Sequence, residues 1–401
     1  MKFTTTELLL VALLVIFIVP YVIWRGLGRK NWAPLVVVQI ITGVMLGPGV
    51  FGAAYPETFR YVLNRDVMGA LNGLGSWAVM LFVWVAGMEL DVHEAWKKRR
   101  ETGVVASLAF MTPFAFSICV GIVIMGWGNW IGVKGNYWQV LLSIGMACSV
   151  TALPILILFL ENLGILRTPF GQRVLRYASL DDILVWGMLA LILLDWEQML
   201  RQIGFIVLFV PASILVRKLI VKMDDADRWY VGFIWLGSCG LLADWAGLHY
   251  MVGAFLAGVV LDIRWFGDEK VDAFRGHILL AIMPIYFLLT GLRTSWEIGG
   301  SVVFVVAGLL LLASISGKLI GMAVAGRLLG WTFRESTLIG WLLQTKALIL
   351  IIFANILLDK QIITSYTFTA LLLMAVGSTM LTVPMALPLL RGGGYSCSTS
   401  N

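Results

Sequence analysis

The sequence predicts an all-α polytopic membrane protein, and three observations carry that prediction. Hydrophobic residues fill 60% of its 401 positions and charged residues only 13%, against roughly 25% charged in a soluble globular chain. Apolar runs of about 20 residues, each able to cross ~30 Å of hydrocarbon as a helix, recur almost without interruption from Leu8 to Leu390. The basic residues gather at alternate ends of these runs. No soluble domain of any size fits between them. The net charge of +6 therefore reads as a topology signal, and no nucleic-acid partner is expected.

About 13 transmembrane helices are expected. The first, Thr6 to Trp24, follows only Lys2 and lacks a small-residue cleavage site, so it reads as a retained helix and not a signal peptide. Next come Trp32 to Phe51, Val67 to Leu90, Thr102 to Trp127, Trp138 to Leu160, Phe170 to Leu194 and Ile203 to Leu219. The remainder are Trp229 to Leu242, the short Gly-rich Tyr250 to Ile263, Ala273 to Leu292, Gly299 to Ala325, Thr337 to Leu357 and Tyr366 to Leu390. With these spans, about twenty of the 29 Lys and Arg residues fall on one side and about seven on the other. The N-terminus is then outside and the C-terminus cytoplasmic. Only Lys318 and Lys346 remain, both inside spans. Cys119, Cys148 and Cys239 also fall within spans, and no cysteine pair has metal or redox spacing. No cofactor motif appears, and no cofactor is expected.

An odd number of spans permits two inverted six-helix repeats about one linking helix, a common transporter plan. The fourth to sixth helices then correspond to the eleventh to thirteenth. The middle helix of the first trio carries Ser149-Val150-Thr151-Ala152-Leu153-Pro154, and that of the second carries Leu343-Gln344-Thr345-Lys346-Ala347. Each interrupts an apolar run with small or polar residues, and Pro154 also removes a backbone donor. Matching interruptions in two halves predict two broken, crossing helices at a transport site. A proline kink and a lysine reaching for the interface would leave the same pattern.

The sixth span holds Asp181 and Asp182 side by side. One Asp at mid-membrane costs from about 2.5 kcal/mol upwards, so an intramembrane acid is a candidate functional group. Neighbours on a helix point about 100° apart, and the two can flank a cavity at a helix crossing. Their oxygens suit a small hard cation, and desolvation with mutual repulsion lets the pair hold protons when the cation is absent. Competition of proton and cation for the same oxygens is exchanger chemistry. A cap pair at a helix N-terminus is the structural alternative, but Asp181 lies ~17 Å of helix beyond Phe170.

Lys318, in Ile315-Ser316-Gly317-Lys318-Leu319-Ile320-Gly321, stands mid-span and needs a counter-charge, for which Asp181 is the candidate. Gly317 and Gly321 would let another backbone approach. Thr151, Thr345 and Lys346 sit at the two breaks, where structural and ion-contacting roles are equally open. Glu89 and Asp91 read as an interfacial cluster beside Lys97. His93, His249 and His277, at span edges, read as packing or anchoring groups.

Together these residues resemble the cation/proton antiporter superfamily, in its paired-aspartate branch related to bacterial Na⁺/H⁺ antiporters and to the transmembrane part of glutathione-gated potassium efflux proteins. The resemblance covers nearly the whole chain. It is carried by Leu46-Gly47-Pro48-Gly49-Val50-Phe51-Gly52, Ala86-Gly87-Met88-Glu89-Leu90-Asp91, Ser149 to Pro154 and Leu180-Asp181-Asp182. It continues through Gly253-Ala254-Phe255-Leu256-Ala257-Gly258, Met283-Pro284-Ile285-Tyr286-Phe287 with Gly291-Leu292-Arg293, Gly317-Lys318 and Gln344-Thr345-Lys346.

The resemblance implies an elevator-like transporter and not an enzyme. A mobile core, 102–194 and 299–390, would move against a scaffold and dimerisation part, 1–101 and 229–293, with a linker helix at 203–219. It also implies a homodimer in a membrane, for which the short loops suit a bacterial inner membrane. Asp182 matches the main ion-binding carboxylate, Asp181 its partner, and Lys318 the lysine paired with Asp181. Thr151 joins the two acids as a cation ligand. An Asp-Asp pair with that lysine resembles the electrogenic type, trading two protons for one cation. Two positions depart from the family pattern: Thr151 stands where some sodium antiporters have Asp, and Ala347-Leu348-Ile349-Leu350 lacks an acid found in relatives. The nucleotide-binding domain of the potassium-efflux proteins is not expected, since the chain ends shortly after its last helix.

Three other classes compete with a Na⁺, K⁺ or Li⁺/proton antiporter. An intramembrane aspartyl protease would place its acids on separate helices, a channel would need a selectivity loop or ring, and a sodium-coupled solute symporter would share the inverted-repeat fold, with Lys318 arguing against it.

Overall fold

The computed structural model describes residues 3–26, 35–88, 99–128, 130–166, 168–194, 199–293 and 300–391. Among them the chain is helical throughout, and its one β interaction is an isolated bridge between Ile131 and Ile363. In order the helices are α1 Thr5–Gly26, α2 Leu35–Leu46, α3 Phe51–Ala54, α4 Pro56–Val62, α5 Arg65–Met88, α6 Arg99–Met125, α7 Tyr137–Ser149, α8 Leu153–Asn162 and α9 Pro169–Ile192. They continue as α10 Met199–Ile220, α11 Asp225–Trp245, α12 Tyr250–Val259, α13 Ile263–Phe266, α14 Asp268–His277, α15 Met283–Leu292, α16 Gly300–Leu329, α17 Phe333–Leu342, α18 Ala347–Asp359 and α19 Ser365–Arg391.

Eight of the described helical stretches are long and apolar enough to cross a membrane, or nine if α17 and α18, bent by 48° at their junction, count as one span. Other expected spans are helical but short, as at Tyr250–Val259, broken, or charged. The stretch Trp138 to Leu160 divides into α7 and α8 around Val150–Ala152, and α9 carries Arg173, Arg176, Asp181 and Asp182.

Three expected spans end or change register where local chemistry requires it. The second stops at Leu46, because Pro48 cannot donate and disfavours helix before it, and resumes only as α3. The ninth stops at Val259, after which Asp262 accepts from the Arg264 amide at 3.0 Å and caps α13. The tenth runs through a π-helical segment, Ile278–Ile282, just before Pro284. Such bulges, common at functional sites, carry no signal in hydropathy.

The chain divides into two compact units. The first comprises 1–18, 55–90 and 190–289. In it Trp84 of α5 packs among Trp229, Phe233 and Phe266, with Phe274 alongside Trp229. The expected linker, 203–219, lies in this unit.

The second unit comprises 19–54, 91–189 and 290–401, and holds most of the stretches 102–194 and 299–390. Here α16 lies directly against α6. A Cβ on Gly317 would meet the backbone of Pro113, and one on Gly321 would meet the Thr112 side chain and the Leu108 carbonyl, so the small-residue spacing sets this close approach. At one end Tyr177 donates to Glu101 at 2.5 Å, and Arg173 pairs with Glu335 while lying over the Trp331 ring. A buried apolar cluster that includes Leu156, Tyr177, Met322, Leu338 and Leu342 fills the space beyond.

Candidate functional site

Each half of the second unit contributes a helix that stops and restarts. An Asn136 and Gln139 capping box starts α7, with Asn136 accepting from the Gln139 amide at 2.9 Å. The helix then ends at Ser149, and α8 begins at Leu153 with Pro154 in its first turn, a position where a missing N–H costs nothing. In the other half Thr332 caps α17, which ends at Leu342, and α18 starts at Ala347. The Thr379 hydroxyl accepts from the Lys346 and Ala347 amides at 3.2 and 3.0 Å, satisfying two of the orphan donors of α18.

The two breaks meet. The Ala152 amide donates to the Thr345 carbonyl, and the Thr345 hydroxyl lies 3.4 Å from the carbonyls of Ala152 and Leu342. The Thr151 hydroxyl reaches across to the Leu343 carbonyl at 2.9 Å. Gln344 bridges to its neighbours, donating to the Ser314 carbonyl at 3.1 Å and accepting from the Ser378 hydroxyl at 3.1 Å.

Against this crossing stand Asp181 and Lys318. Asp181 is the thirteenth of 24 residues in α9 and is fully buried. Its Oδ2 accepts from the Thr151 hydroxyl at 2.6 Å and pairs with Lys318 Nζ at 3.0 Å. Its Oδ1 is buried with no hydrogen-bond partner among the described residues. Lys318 Nζ also donates to the Ser149 carbonyl at 2.6 Å and the Thr151 hydroxyl at 3.0 Å. It is fully buried, so it does not reach for an interface. Lys346, also fully buried, donates to the carbonyls of Cys148 at 2.7 Å and Val150 at 2.9 Å.

Of the residues singled out in the sequence, Asp181, Lys318, Thr151, Ser149, Thr345 and Lys346 come together. The backbone of Asp182 continues α9, while its side chain, like that of Pro154, lies outside the described residues. Glu89, Asp91, His93 and Lys97 lie outside them too. His249 is buried and accepts from the Met251 amide at 3.3 Å as the N-cap of α12. Ser314, Ser378 and Thr379 also join the crossing, and none of them is expected from the sequence. Ser314 precedes Lys318 by four residues and so shares its helix face, and the Ser378-Thr379 pair interrupts an apolar run. Those were the available signals.

What this arrangement can do chemically follows from its parts. Two interrupted helices present carbonyl ends, a buried carboxylate has one committed and one uncommitted oxygen, and an ammonium touches both the carboxylate and a helix end. Such a site can exchange one positive charge for another without exposing an uncompensated carboxylate.

Residues 13–392 match the family model described as sodium/hydrogen exchanger, transmembrane. The Na(+)/H(+) antiporter NhaS4 of Synechocystis sp. is 26% identical over 95% of this chain and 97% of that protein. The Na(+)/H(+)-K(+) antiporter GerN of Bacillus cereus is 24% identical over 88% of this chain and 89% of GerN. Cation/H(+) antiporter 20 of Arabidopsis thaliana is 25% identical over 89% of this chain, and the chain spans only 46% of that plant protein. Among solved structures, the sodium proton antiporter MjNhaP1 from Methanocaldococcus jannaschii at pH 8 superposes with a TM-score of 0.62 at 14% identity, covering 97% of this chain and 99% of that one. At that identity the likeness is one of fold.

Proposed function

Because this chain belongs to the sodium/hydrogen exchanger transmembrane family, we propose that it is a secondary active antiporter, trading a monovalent cation for protons across a membrane. Na⁺ is the cation favoured, with K⁺ and Li⁺ as the alternatives. The observation that carries this reading is the buried pair of Lys318 Nζ and Asp181 Oδ2, 3.0 Å apart where the two helix breaks meet. A buried ion pair usually returns less than its desolvation costs, which makes a working role the better explanation for its presence.

In the proposed cycle Asp182 supplies the main carboxylate to the cation, with Asp181 and Thr151 as further ligands. Cation arrival competes with Lys318 for Asp181, and Lys318 releases a proton. With a proton leaving Asp182 as well, two protons exchange for one cation and the cycle moves net charge. The stretches 102–194 and 299–390 are proposed to carry the site in an elevator-like motion, with 1–101 and 229–293 as scaffold and dimerisation part and 203–219 as the linker helix. The proposal includes about thirteen crossings in two inverted repeats, a homodimer, an external N-terminus, a cytoplasmic C-terminus and a bacterial inner membrane. The charge tally of the loops supports the orientation.

The deciding experiment uses purified protein in liposomes with an imposed pH gradient. Adding Na⁺, K⁺ or Li⁺ should collapse the gradient in wild type and leave it intact in Asp182→Asn. Normal exchange in that variant would sink the assignment.

A further inference from the structure

The C-terminal end of α15 is fastened on two sides. On one, Gly291 approaches α2 so closely that a Cβ there would lie 2.5 Å from the backbone of Gly43 and Val44. Both helices fall in the stretches expected to act as scaffold, 1–101 and 229–293. On the other side, Arg293 Nη1 donates to Asn355 Oδ1 at 3.0 Å and to Asp359 Oδ1 at 2.7 Å, and Asn355 Nδ2 donates to Thr290 Oγ1 at 3.2 Å. Asn355 and Asp359 belong to α18, in a stretch expected to move. All of these residues lie within the second compact unit.

The end of α18 has a fastening of its own. Ile362 O accepts from the Gly132 amide at 2.8 Å, Gln361 O accepts from the Lys134 amide at 3.0 Å, and the Thr367 hydroxyl donates to Trp130 O at 2.7 Å. Residues 130–134 also fall in the stretch expected to move, so each half of the Arg293 contact is backed by its own part of the molecule. The loop charges assign both helix ends to the external side.

The chemistry suits a contact that opens and closes. Thr290 and Asn355, about one turn further into the membrane than the charged pair, are buried, so α15 and α18 are closed against each other at that level. The Arg293 and Asp359 side chains remain 35% and 38% exposed. Water can therefore take over both charges when the helices part, and a pair of this exposure is worth little net energy. The buried pair of Lys318 and Asp181 lacks that route. A charge that only complemented the C-terminal end of α15 would also be favourable, but it would need no partner on α18. Arg293 instead meets two acceptors spaced i, i+4 on one face of that helix.

We propose that Arg293, Asn355 and Asp359 form an outer latch, which is closed when the transport site faces the cytoplasm and must open each time the site turns outward. The proposal rests on the elevator reading. The latch touches no transported ion; it sets how the protein divides its time between facing in and facing out. Apparent affinity from one side weakens in proportion as fewer molecules face that side, so a weakened latch favours cation capture from outside.

The test measures exchange by the full chain in right-side-out and everted membrane vesicles, with Na⁺ or K⁺ as probe, whichever wild type exchanges. The half-saturating concentration at the outer face, divided by that at the cytoplasmic face, should fall about two- to fivefold in Asp359→Asn and in Arg293→Gln, the range expected of an exposed ion pair. The two substitutions together should do no more than either alone, since they remove one contact. A change in stability or in the cation site itself moves both faces alike, so an unchanged ratio in both variants overturns the proposal. A second measurement holds the latch shut. Arg293→Cys/Asp359→Cys, joined by a reversible bis-methanethiosulfonate crosslinker, should lose exchange and regain it on reduction, and neither single variant should show that reversible loss. Ile131→Cys/Ile363→Cys, which links two loops of the expected core where their backbones already bridge, should keep exchanging as a disulfide. Full exchange by the crosslinked Arg293→Cys/Asp359→Cys protein overturns the latch alone. A wild type that exchanges neither Na⁺, K⁺ nor Li⁺ overturns the antiporter reading instead, so the two failures are told apart.

Discussion

The Ala152 amide donates to the Thr345 carbonyl, joining two helix breaks that lie 193 residues apart in the chain. Each break strands carbonyls at the end of one half-helix and amides at the start of the next, and in hydrocarbon no water can satisfy them. By meeting, the breaks satisfy part of each other's deficit. Side chains supply the rest: Thr151 donates to Leu343 O, Ser378 to Gln344 O at 2.9 Å, and Lys346 to Cys148 O and Val150 O.

The start of α18 depends on Thr379, whose hydroxyl receives the amides of Lys346 and Ala347. Thr379→Val keeps the shape and removes the acceptor. Loss of a helix cap costs ~1 kcal/mol and an orphaned buried donor ~1–3 kcal/mol. A fall in Tm of several degrees is expected for Thr379→Val and little change for Thr379→Ser, both measured on purified protein in one detergent. Equal behaviour of the two would show that the cap contributes nothing.

Thr151 Oγ1 lies within hydrogen-bond reach of Asp181, Leu343 O and Lys318 Nζ. A hydroxyl has one hydrogen to donate and accepts through its lone pairs, so it accepts from Lys318 and donates to one of the two oxygens at a time. Thr151→Val leaves all three short of a partner, at a cost of ~1–3 kcal/mol. Exchange in liposomes should fall by about tenfold or more in Thr151→Val, 1.4 kcal/mol being worth about tenfold, and persist in Thr151→Ser. Wild-type rates in the valine variant would remove the hydroxyl from the site.

The breaks and the buried charges were legible in the sequence because hydrocarbon makes every polar residue conspicuous: Thr151, Asp181, Lys318 and Lys346 stand out where their neighbours are Leu, Ile and Val. Their partners were not legible to the same degree. Cys148, Val150 and Leu343 act through backbone carbonyls, which every residue possesses, so only the local unwinding gives them a role. The π-helical segment at Ile278–Ile282 depends on hydrogen-bond register, to which a count of apolar residues is blind, whereas the early stop of α2 at Leu46 follows from Pro48, which such a count overlooks. The second compact unit draws on stretches from both halves of the chain, a long-range grouping that composition does not carry.

The contact of α16 with α6 gives a controlled test of packing on one helix. A methyl group on Gly321 would overlap the Thr112 side chain and the Leu108 carbonyl, whereas one on Gly308 meets nothing within 4 Å. Gly321→Ala should destabilise by ~1–3 kcal/mol through overpacking. Gly308→Ala should be neutral or stabilising by up to ~1 kcal/mol, from the higher helix propensity of alanine. Tm values of the two variants measured side by side settle this, and a stable Gly321→Ala would mean that α16 and α6 can separate without loss.

Lys318 permits a prediction in which stability and transport are read on the same variants. Its ammonium and the Asp181 carboxylate are both fully buried. Removing one partner of such a pair typically costs 3–5 kcal/mol, because the other charge is left uncompensated, while removing both can be neutral. Lys318→Met should therefore destabilise strongly, and Lys318→Met/Asp181→Asn should recover much of the loss, a coupling that a double-mutant cycle isolates because the two residues touch. The transport consequence is separate. If Lys318 carries one of the exchanged protons, a variant that retains Asp181 and Asp182 but lacks the lysine moves one proton fewer per cation, and its exchange becomes insensitive to membrane potential. Liposomes clamped with a K⁺ diffusion potential, with Na⁺ as the test cation, measure this directly in Lys318→Ala. Voltage dependence equal to wild type would remove Lys318 from the proton role, and a simultaneous loss of the stability coupling would remove the ion pair itself.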